Sequence, residues 1–362
     1  MRTKKLRALL KDEDATGIIV SNSRDIRYLT GFRGEDSWMV INARKAIIIS
    51  DGRFKEELEE LESASKVLTV HIRSRGQSVA QAVREFIGSS KEDRYLIQAD
   101  LMSVAARDSL AKEVGARRLK NATGVLHRLR IKKDASEIKA IEKAIRIQES
   151  AMEAMLDQLA SGMTELEIAA LLEWEMKSRG AEALGFSIIA ASGKSSSLPH
   201  AIPGRTKIAS GRVLTIDWGA QFDGYCGDMT RTFSFNRWTK PMGDVFDIVL
   251  EAHDAAVGGI KPGMTGEEVD AIARGIIADA GYGDYFVHSL GHGIGLNVHE
   301  NPRLSAISKD VLEAGMVVTV EPGIYLPGIG GVRIENDILV TERGHRDLCR
   351  LPRDRAWSTL EL

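Results

Sequence analysis

The alternation of apolar and polar positions divides the first third of the chain into short strands and amphipathic helices. Short apolar runs predict strands at Gly17–Val20, Trp38–Ile41, Ala46–Ser50 and Tyr95–Gln98. The second and third of these runs are close together and predict a hairpin. Apolar residues at helical spacing predict helices over Phe54–Ser65 and Val79–Ile87. The pattern therefore predicts an α/β domain in this part of the chain.

A long amphipathic helix is predicted next, over Ser136–Leu159. Acidic residues at its start, such as Glu137, suit the positive end of a helix dipole. The composition turns basic just before this helix. We therefore predict a domain boundary near Gly124, which gives one domain over 1–124 and a second over 125–362.

The second domain carries an internal repeat. A Gly-Met-Thr tripeptide occurs at residues 162–164 and again at 263–265, and each copy precedes an acidic stretch of helical pattern. These stretches predict helices over Glu165–Ser178 and Glu267–Ala280, and the threonine of each tripeptide is suited to cap the helix that follows. A duplicated helical unit is the simplest reading of this repeat.

In each half of the repeat, a carboxylate directly follows an apolar run. Asp217 ends the run Val213–Ile216, which is rich in β-branched residues and predicts a buried strand. Glu321 ends the corresponding run Met316–Val320. A carboxylate held at the end of a buried strand is rigid, and its burial without a cation is unfavourable.

A second carboxylate follows in each half. Asp228 precedes the predicted strand Met229–Phe235, and Glu335 lies within the predicted strand Val332–Leu339. These strands complete two antiparallel hairpins. We therefore expect two equivalent αβ halves around a shared cleft, with carboxylates close enough to bridge two ions ~3.5–4 Å apart.

Four carboxylates and one imidazole form a set that suits a pair of divalent ions and hydrolytic chemistry. The five candidate ligands are Asp217, Asp228, His292, Glu321 and Glu335. Hard oxygen donors with a single nitrogen favour Mn²⁺, Co²⁺, Fe²⁺ or Zn²⁺ over a calcium cage. His292 stands between two glycines, which let the backbone approach closely and leave space around the imidazole.

Two further histidines are candidates for substrate contact. His200 follows a Ser-Ser-Leu-Pro segment, and His299 follows the glycine-rich stretch around His292. In such positions a histidine can donate a proton or stabilise a developing oxyanion. Orientation of the metal ligands and packing of a loop are the alternative roles for both.

Composition limits the partners of the protein. A chain of 362 residues is long enough for two domains with separate cores. Its formal net charge of −2 gives no electrostatic reason to expect nucleic acid or an anionic membrane as a partner. The first residues lack a long apolar segment, so we expect no secretory signal, and no apolar run approaches the length of a membrane span. Two cysteines predict thiols in a reducing compartment, and we expect a cytoplasmic protein.

The motifs around the candidate ligands resemble those of the pita-bread metallopeptidases, a family that includes methionine aminopeptidase, aminopeptidase P and prolidase. The motifs that carry the resemblance are Pro199-His200, Asp217-x-Gly219, Gly227-Asp228-x-Thr230-Arg231-Thr232, Gly291-His292-Gly293, Val298-His299-Glu300, Val320-Glu321-Pro322-Gly323 and Arg333-Ile334-Glu335. They cover most of residues 126–362. The segment Ile26–Phe32 and the hairpin after it resemble the creatinase/prolidase N-terminal domain. The resemblance implies a two-domain α/β protein of the Xaa-Pro branch, with that N-terminal domain and a duplicated, pita-bread catalytic domain.

The resemblance also implies a role for each ligand. Asp217 would hold one metal ion, His292 and Glu321 the other, and Asp228 and Glu335 would bridge the two. A bridging hydroxide would attack the carbonyl before proline, in a dipeptide or at a peptide N-terminus, with Glu321 as the proton acceptor. Mn²⁺ and Co²⁺ are the first expectations for the two ions, and Zn²⁺ and Fe²⁺ are alternatives.

Four other residues receive roles from the resemblance. His200 and His299 would contact the substrate and the tetrahedral intermediate, and Arg333 would bond to a ligand carboxylate. Arg303 would reach a carboxylate of the substrate, which favours dipeptides. The family further implies a homodimer in which the N-terminal domain takes part and can narrow access to the cleft.

The chain departs from the family pattern near His200 and at Trp218. The loop Ser192–Pro199 differs from the Asn-containing segment common in the family, which bears on substrate preference, and the bulk of Trp218 is expected to shape the pocket. Two alternative functions are a non-catalytic binding module on the same fold and a metal-free, creatinase-like amidinohydrolase. The complete ligand set opposes both.

Overall fold

Two α/β units make up the chain, residues 1–130 and residues 131–362. The computed structural model describes residues 2–65 and 67–361. The boundary predicted near Gly124 lies just ahead of this division, on the N-terminal side of a short helix.

A six-stranded mixed sheet organises the first unit. Its strands are β1 (Gly17–Val20), β2 (Trp38–Asn42), β3 (Ala46–Ser50), β4 (Leu68–Ile72), β5 (Tyr95–Gln98) and β6 (Leu119–Ala122). Its helices are α1 (Arg2–Asp12), α2 (Ser23–Thr30), α3 (Lys55–Ala64), α4 (Val79–Phe86), α5 (Val104–Val114) and α6 (His127–Arg130). The strand order is β4-β3-β2-β1-β5-β6, and β2 and β3 form the predicted antiparallel hairpin. Apolar clusters cover both faces of this sheet.

The second unit is built from four helices and several small sheets. The helices are α7 (Ala135–Leu156), α8 (Glu165–Ser178), α9 (Lys240–Gly259) and α10 (Gly266–Asp279). The strands are β7 (Ala183–Leu184), β8 (Ile189–Ser192), β9 (Val213–Trp218), β10 (Ala220–Phe222), β11 (Tyr225–Cys226), β12 (Met229–Phe235), β13 (Gly291–Gly293), β14 (Glu300–Leu304), β15 (Val317–Val320), β16 (Gly323–Leu326), β17 (Gly330–Arg333), β18 (Asn336–Val340), β19 (His345–Asp347) and β20 (Thr359–Leu360).

The predicted repeat is confirmed by matching helix starts. Thr164 accepts the backbone N–H of Glu167, whose carboxylate accepts the N–H of Thr164 in return. Thr265 and Glu268 form the same reciprocal capping box at the start of α10. Each threonine also forms an isolated antiparallel bridge to a downstream residue. The two halves therefore share their local structure as well as their sequence pattern.

Two sheets carry the central strands of the two halves, and their strands are antiparallel except that β20 runs parallel to β12. One has the order β20-β12-β9-β8, and the other has the order β14-β13-β15-β18-β19. All seven residues of β12 are buried, as expected for a central strand that is covered on both faces. A large apolar cluster of this unit joins α9 and α10 to the second sheet.

The prediction of one strand over Val332–Leu339 is wrong. The chain instead forms β17 up to Arg333 and β18 from Asn336, with Ile334 and Glu335 outside both strands. The reason is that β17 pairs with β16, whereas β18 pairs with β15. The chain therefore passes from one sheet to the other through Ile334 and Glu335.

The predicted helix over Ser136–Leu159 forms but ends earlier, at Leu156. The backbone N–H of Asp157 bonds to the carbonyls of both Glu153 and Met155, which tightens the chain into a turn.

In the part of the chain that the structure describes, no helix has the length and apolar character needed to cross a membrane.

Candidate metal centre and substrate cavity

The four candidate carboxylates stand at equivalent places on the two antiparallel strand pairs. Asp217 lies in β9, paired with Thr230 of β12, and Asp228 directly precedes β12. Glu321 directly follows β15, and Glu335 directly precedes β18, its antiparallel partner. All four line one cavity of about 560 Å³. The folded chain thus brings together carboxylates that are more than a hundred residues apart.

His292 joins the carboxylates from β13. Its flanking glycines are required, because a Cβ on Gly291 would lie 2.0 Å from the carbonyl oxygen of Thr319. A Cβ on Gly293 would lie 2.2 Å from the carbonyl oxygen of Asn301. The predicted close approach of backbone on both sides of the imidazole is confirmed.

The donor atoms of these residues converge. Asp228, His292 and Glu335 each offer one ligand atom, and these atoms lie within 4.8 Å of one another. Nε2 of His292 is 3.3 Å from Oε1 of Glu321 and 3.8 Å from Oδ2 of Asp228. Nδ1 of the same ring lies 3.1 Å from the carbonyl oxygen of Gly293, to which it donates in the neutral tautomer. The lone pair of Nε2 then faces the carboxylates.

Burial and mutual repulsion shape the charge state of this cluster. Burial raises the pKa of Asp228, and the charge of Glu335 raises it further. Burial raises the pKa of Glu335, with Glu321 as the next contributor, and burial also raises the pKa of Glu321 to about 8. Burial lowers the pKa of His292 to about 3, which keeps the imidazole neutral. Ionised carboxylates in this place require a nearby cation.

The residues present fit divalent metal ions. Oδ1 of Asp217 is buried and, among the described residues, has no hydrogen-bond partner. The lone pair of His292 and the oxygens of three other carboxylates share the cavity with it. Buried acceptors without donors are unfavourable unless a cation satisfies them, and oxygen donors with one neutral imidazole form a set that such ions accept.

Arg333 is the centre of the hydrogen-bond network behind the carboxylates. Its Nη2 donates to Oδ2 of Asp217 at 2.7 Å, its Nε donates to the hydroxyl of Thr230 at 3.1 Å, and its Nη1 donates to the hydroxyl of Tyr325 at 2.7 Å. The hydroxyl of Thr230 in turn donates a hydrogen bond to Oε2 of Glu335 at 2.7 Å. One guanidinium group therefore fixes a carboxylate of each half.

Several supporting residues were not assigned by the sequence. The hydroxyl of Tyr325 lies 2.9 Å from Nε2 of His288. Burial lowers the pKa of His288 to about 4, and the charge of Arg333 is the next contributor to this shift. The backbone N–H of Asp228 donates to Oδ2 of the buried Asp337 at 2.9 Å. His288 stands close to His292 in sequence, which was the only signal for it. The positions of Tyr325 and Asp337 in apolar strands gave none.

The three residues expected to contact substrate line the same cavity as the carboxylates. They are His200, His299 and Arg303. The ring of His299 packs edge-on against that of His292, with 4.3 Å between the ring centres. Burial lowers the pKa of His299, and the charge of Arg303 lowers it further. Apolar side chains, including Phe186, Ile188 and Ile202, complete the wall.

Trp218 does not shape this cavity, contrary to the expectation from its size. The side chain is fully buried, and its indole N–H donates to the carbonyl oxygen of Gln148 in α7 at 3.0 Å. Alternation along β9 explains the difference: Asp217 faces the cavity, so its neighbour points away from it. Trp218 is absent from the described residues that line the cavity.

The duplicated fold and its carboxylate-imidazole cavity define a metal-dependent hydrolase. Residues 139–342 match the family model of metallopeptidase family M24, and residues 2–132 match the creatinase/prolidase N-terminal domain. The chain belongs to metallopeptidase family M24. It is therefore a metallopeptidase with the two-domain α/β fold expected from the sequence, and its family implies divalent metal ions.

Similar proteins include a peptidase without an assigned substrate and proteins named Xaa-Pro dipeptidase. A protein of Bacillus subtilis named Uncharacterized peptidase YqhT is 38% identical over 354 residues, which cover 98% of this chain and 99% of that protein. The Xaa-Pro dipeptidase of Pyrococcus horikoshii is 45% identical over 247 residues, which cover 68% of this chain and 70% of that protein. The solved structure of the Xaa-Pro dipeptidase from Bacillus anthracis has a TM-score of 0.92 and 35% identity, and it covers 100% of this chain and 99% of that chain. A non-catalytic binding module is not favoured.

Proposed function

We propose that this metallopeptidase hydrolyses the bond between an N-terminal residue and proline, with Xaa-Pro dipeptides as its substrates. The proposal is carried by one observation: the five candidate ligands share a cavity with two histidines and with Arg303. The names of the similar proteins support the same bond specificity.

Five residues would hold two divalent metal ions. Asp217 would bind one ion, His292 and Glu321 would bind the other, and Asp228 and Glu335 would bind both. When bound, such ions lower the pKa of a water molecule and polarise the carbonyl of the scissile bond. We propose Mn²⁺ or Co²⁺ as the ions, because four of the five ligands are hard oxygen donors.

Glu321 is the proposed proton acceptor of the reaction. Its Oε1 lies 3.3 Å from the hydroxyl of Thr319, which donates to it, so the carboxylate is oriented within the cavity. The same hydroxyl accepts the backbone N–H of His292 at 3.1 Å. Thr319 therefore holds Glu321 and His292 in a fixed relation, and Glu321 can take a proton from the attacking water and return it to the leaving nitrogen.

His200, His299 and Arg303 act on the substrate. The two imidazoles face the cavity and can donate hydrogen bonds to the carbonyl oxygen as negative charge develops on it. The guanidinium of Arg303 pairs with the terminal carboxylate of a dipeptide, which sets the length of the substrate. The apolar side chains of Phe186 and Ile188 in the cavity wall reduce the access of water to the bond that is cleaved.

The experiment that tests this function compares substrates of different length and sequence. Metal-depleted protein is supplied with Mn²⁺, Co²⁺ or Zn²⁺ and assayed on Ala-Pro, Ala-Ala and Ala-Pro-Ala. We expect rapid cleavage of Ala-Pro, slow cleavage of Ala-Pro-Ala and no cleavage of Ala-Ala. Faster cleavage of the tripeptide would instead establish an Xaa-Pro aminopeptidase, and efficient cleavage of Ala-Ala would contradict proline specificity.

A homodimer is the proposed assembly of this protein. The resemblance to Xaa-Pro peptidases supports it. Light scattering of the purified chain tests it, and a monomeric mass across the working concentration range would contradict it.

A further inference from the structure

The segment between β8 and β9 carries His200 into the cavity. It starts at Ser192, the last residue of β8, passes through a 3₁₀ turn at Gly193–Ser197, and reaches Gly204. Its two large apolar side chains are exposed, Leu198 by 60% and Ile202 by 89%. We call residues 192–204 the His200 loop. Only the small side chain of Ala201 is buried in an apolar cluster, beside Ile189 and Ala191, so the position of the described loop depends mainly on hydrogen bonds.

One buried carboxylate bonds to both ends of the His200 loop. Glu165 is the first residue of α8, and only 1% of it is exposed. Its Oε1 accepts the backbone N–H of Ser192 at 2.6 Å and the hydroxyl of Ser195. Its Oε2 accepts the backbone N–H of Gly204 at 2.9 Å. Both ends of the loop therefore meet at a single side chain.

The backbone at the start of α8 adds to this junction. The N–H of Glu165 donates to the carbonyl of Thr206 at 3.0 Å, and the N–H of Leu166 donates to the carbonyl of Gly204 at 3.1 Å. The positive end of the helix favours a negative charge at this position. Within the described part of the chain, no cationic side chain pairs with Glu165, so the donors of the loop are what satisfy its charge.

We propose that Glu165 is a positioning residue for peptide hydrolysis, which acts by fixing the His200 loop so that His200 faces the bound substrate. This inference rests on the proposed role of His200. Charge-assisted hydrogen bonds to backbone N–H groups are about twice as strong as neutral ones, and bonds at both ends restrict every residue between them.

In the second half of the repeat, different contacts hold the loop that carries Arg303. Gly266 starts α10 as Glu165 starts α8, and a Cβ at Gly266 would lie 2.0 Å from the carbonyl oxygen of Arg303. The loop instead approaches the bare helix start, where the N–H of Gly266 donates to the carbonyl of Asp310 at 2.9 Å. Oδ2 of Asp310 accepts the N–H of Arg303 at 3.0 Å. Each equivalent helix start therefore holds a loop that carries one substrate-facing residue.

Other contacts hold the middle of the His200 loop, so the loss of Glu165 should not unfold the domain. The hydroxyl of Ser196 accepts the backbone N–H of Gly331 at 2.8 Å. Nη1 of Arg333 lies 3.3 Å from the carbonyl oxygen of Pro199. We therefore expect a loop that stays attached but loses its fixed position.

The first test is a double-mutant cycle on the full-length, Mn²⁺-loaded protein with Ala-Pro as substrate. Glu165→Gln places an amide donor against the N–H groups of the loop while keeping the size of the side chain. In the wild-type background this change should lower kcat/KM between about tenfold and about a hundredfold, because a displacement of about 1 Å in a group that contacts the substrate can cause such losses. In a His200→Ala background it should lower kcat/KM less than about twofold, because the residue it positions is absent.

Two further variants separate positioning from loss of structure. Glu167→Ala removes the capping box at the same helix start without touching the His200 loop, and it should leave kcat/KM within about twofold of wild type. Ser195→Ala removes only one of the bonds to Glu165, and it should show a smaller effect in the same direction. This second variant keeps the inference testable if Glu165→Gln does not fold.

Amide hydrogen exchange supplies a readout that does not depend on catalysis. Exchange at Ser192 and Gly204 should quicken in Glu165→Gln and remain unchanged in Glu167→Ala. The thermal shift on adding Mn²⁺ should be the same in both variants. A full effect of Glu165→Gln in the His200→Ala background, or equal losses from Glu165→Gln and Glu167→Ala, would overturn the inference.

The cycle also distinguishes failure of the inference from failure of the proposed function. If His200→Ala alone leaves kcat/KM unchanged, the role of His200 and the positioning by Glu165 both fall, while metal-dependent cleavage of Ala-Pro stands. If the wild-type protein cleaves a different peptide, the cycle is run on that peptide, and additivity there overturns the inference in the same way.

Discussion

Nη2 of Arg333 donates to Oδ2 of Asp217 at 2.7 Å, across a distance of more than a hundred residues in sequence. The same guanidinium reaches Thr230, whose hydroxyl holds Glu335. Since Asp217 and Glu335 come from different halves of the repeat, these hydrogen bonds join the two halves at the candidate metal centre. The guanidinium group of Arg333, and not the strands alone, thus fixes the positions of Asp217 and Glu335 relative to each other.

Arg333→Lys should disrupt this relation without removing the positive charge. A lysine ammonium cannot reproduce the fork of donors that contacts Asp217, Thr230 and Tyr325 together. We expect activity or metal affinity to fall between about tenfold and about a hundredfold. The measurement is a titration with Mn²⁺ followed by kcat and KM on Ala-Pro. Arg355→Lys, at a surface ion pair with Asp247, is the matched control, and equal behaviour of the two variants would refute the role of Arg333.

Asp228→Asn should separate stability from function. The change removes a buried carboxylate whose pKa is raised by burial and then by Glu335, so repulsion within the cluster falls. In the presence of a chelator we expect an equal or higher thermal midpoint than wild type. Activity with Mn²⁺ should drop below roughly a hundredth of wild type, because even the partners of metal ligands contribute losses of that size. A near-normal rate would show that Asp228 is not a ligand.

Arg303→Met should change the preference for substrate length. The guanidinium is proposed to pair with the terminal carboxylate of the dipeptide, and methionine keeps much of the apolar stem without the charge. KM for Ala-Pro should rise roughly tenfold or more, as expected for the loss of a charge-assisted hydrogen bond. KM for Ala-Pro amide, which lacks that carboxylate, should barely move. A parallel rise for both substrates would exclude recognition of the carboxylate by Arg303.

His253 should make the protein sensitive to mild acid. Burial lowers the pKa of His253, its hydrogen bond to the carboxylate of Asp254 opposes this shift, and the positive charges of Arg353 and Arg231 lower the pKa further. A histidine whose pKa is lower in the folded state binds more protons when unfolded. Its stabilising contribution is therefore present above its ordinary pKa and is lost as the pH falls.

The measurement is the free energy of unfolding of wild type and His253→Asn at pH 7 and pH 5. The drop between the two pH values should be smaller in the variant, in which this titration is absent. Comparing the difference between the proteins cancels any effect of pH on the metal site. An identical drop would show that His253 titrates alike in both states.

Much of the site follows from local patterns in the sequence. The capping threonines, the buried strands that end on Asp217 and Glu321, and the glycines around His292 all act over a few residues. Physical chemistry gives such short patterns a definite structural meaning. The equivalence of the two halves, which is visible in the sequence, predicts that the carboxylates share one cleft.

The rest depends on contacts that no local pattern contains. Glu165 reads as an ordinary acidic residue in the first turn of a helix, yet its partners lie between 27 and 39 residues further along the chain. The mixture of apolar and polar residues from Val332 to Leu339 does not mark the break at Glu335, because the break arises from the choice of partner strands. The hydrogen bond that Trp218 makes in the core likewise has a distant partner, the carbonyl oxygen of Gln148 in α7.

The most direct test of the central claim is a titration of metal-depleted protein with Mn²⁺, in which bound metal and the rate of Ala-Pro hydrolysis are measured on the same samples. The account predicts no hydrolysis after chelation, and recovery of the full rate as binding reaches two ions per chain. Hydrolysis that persists after complete removal of metal would contradict the claim. So would full binding of Mn²⁺ without any hydrolysis of Ala-Pro.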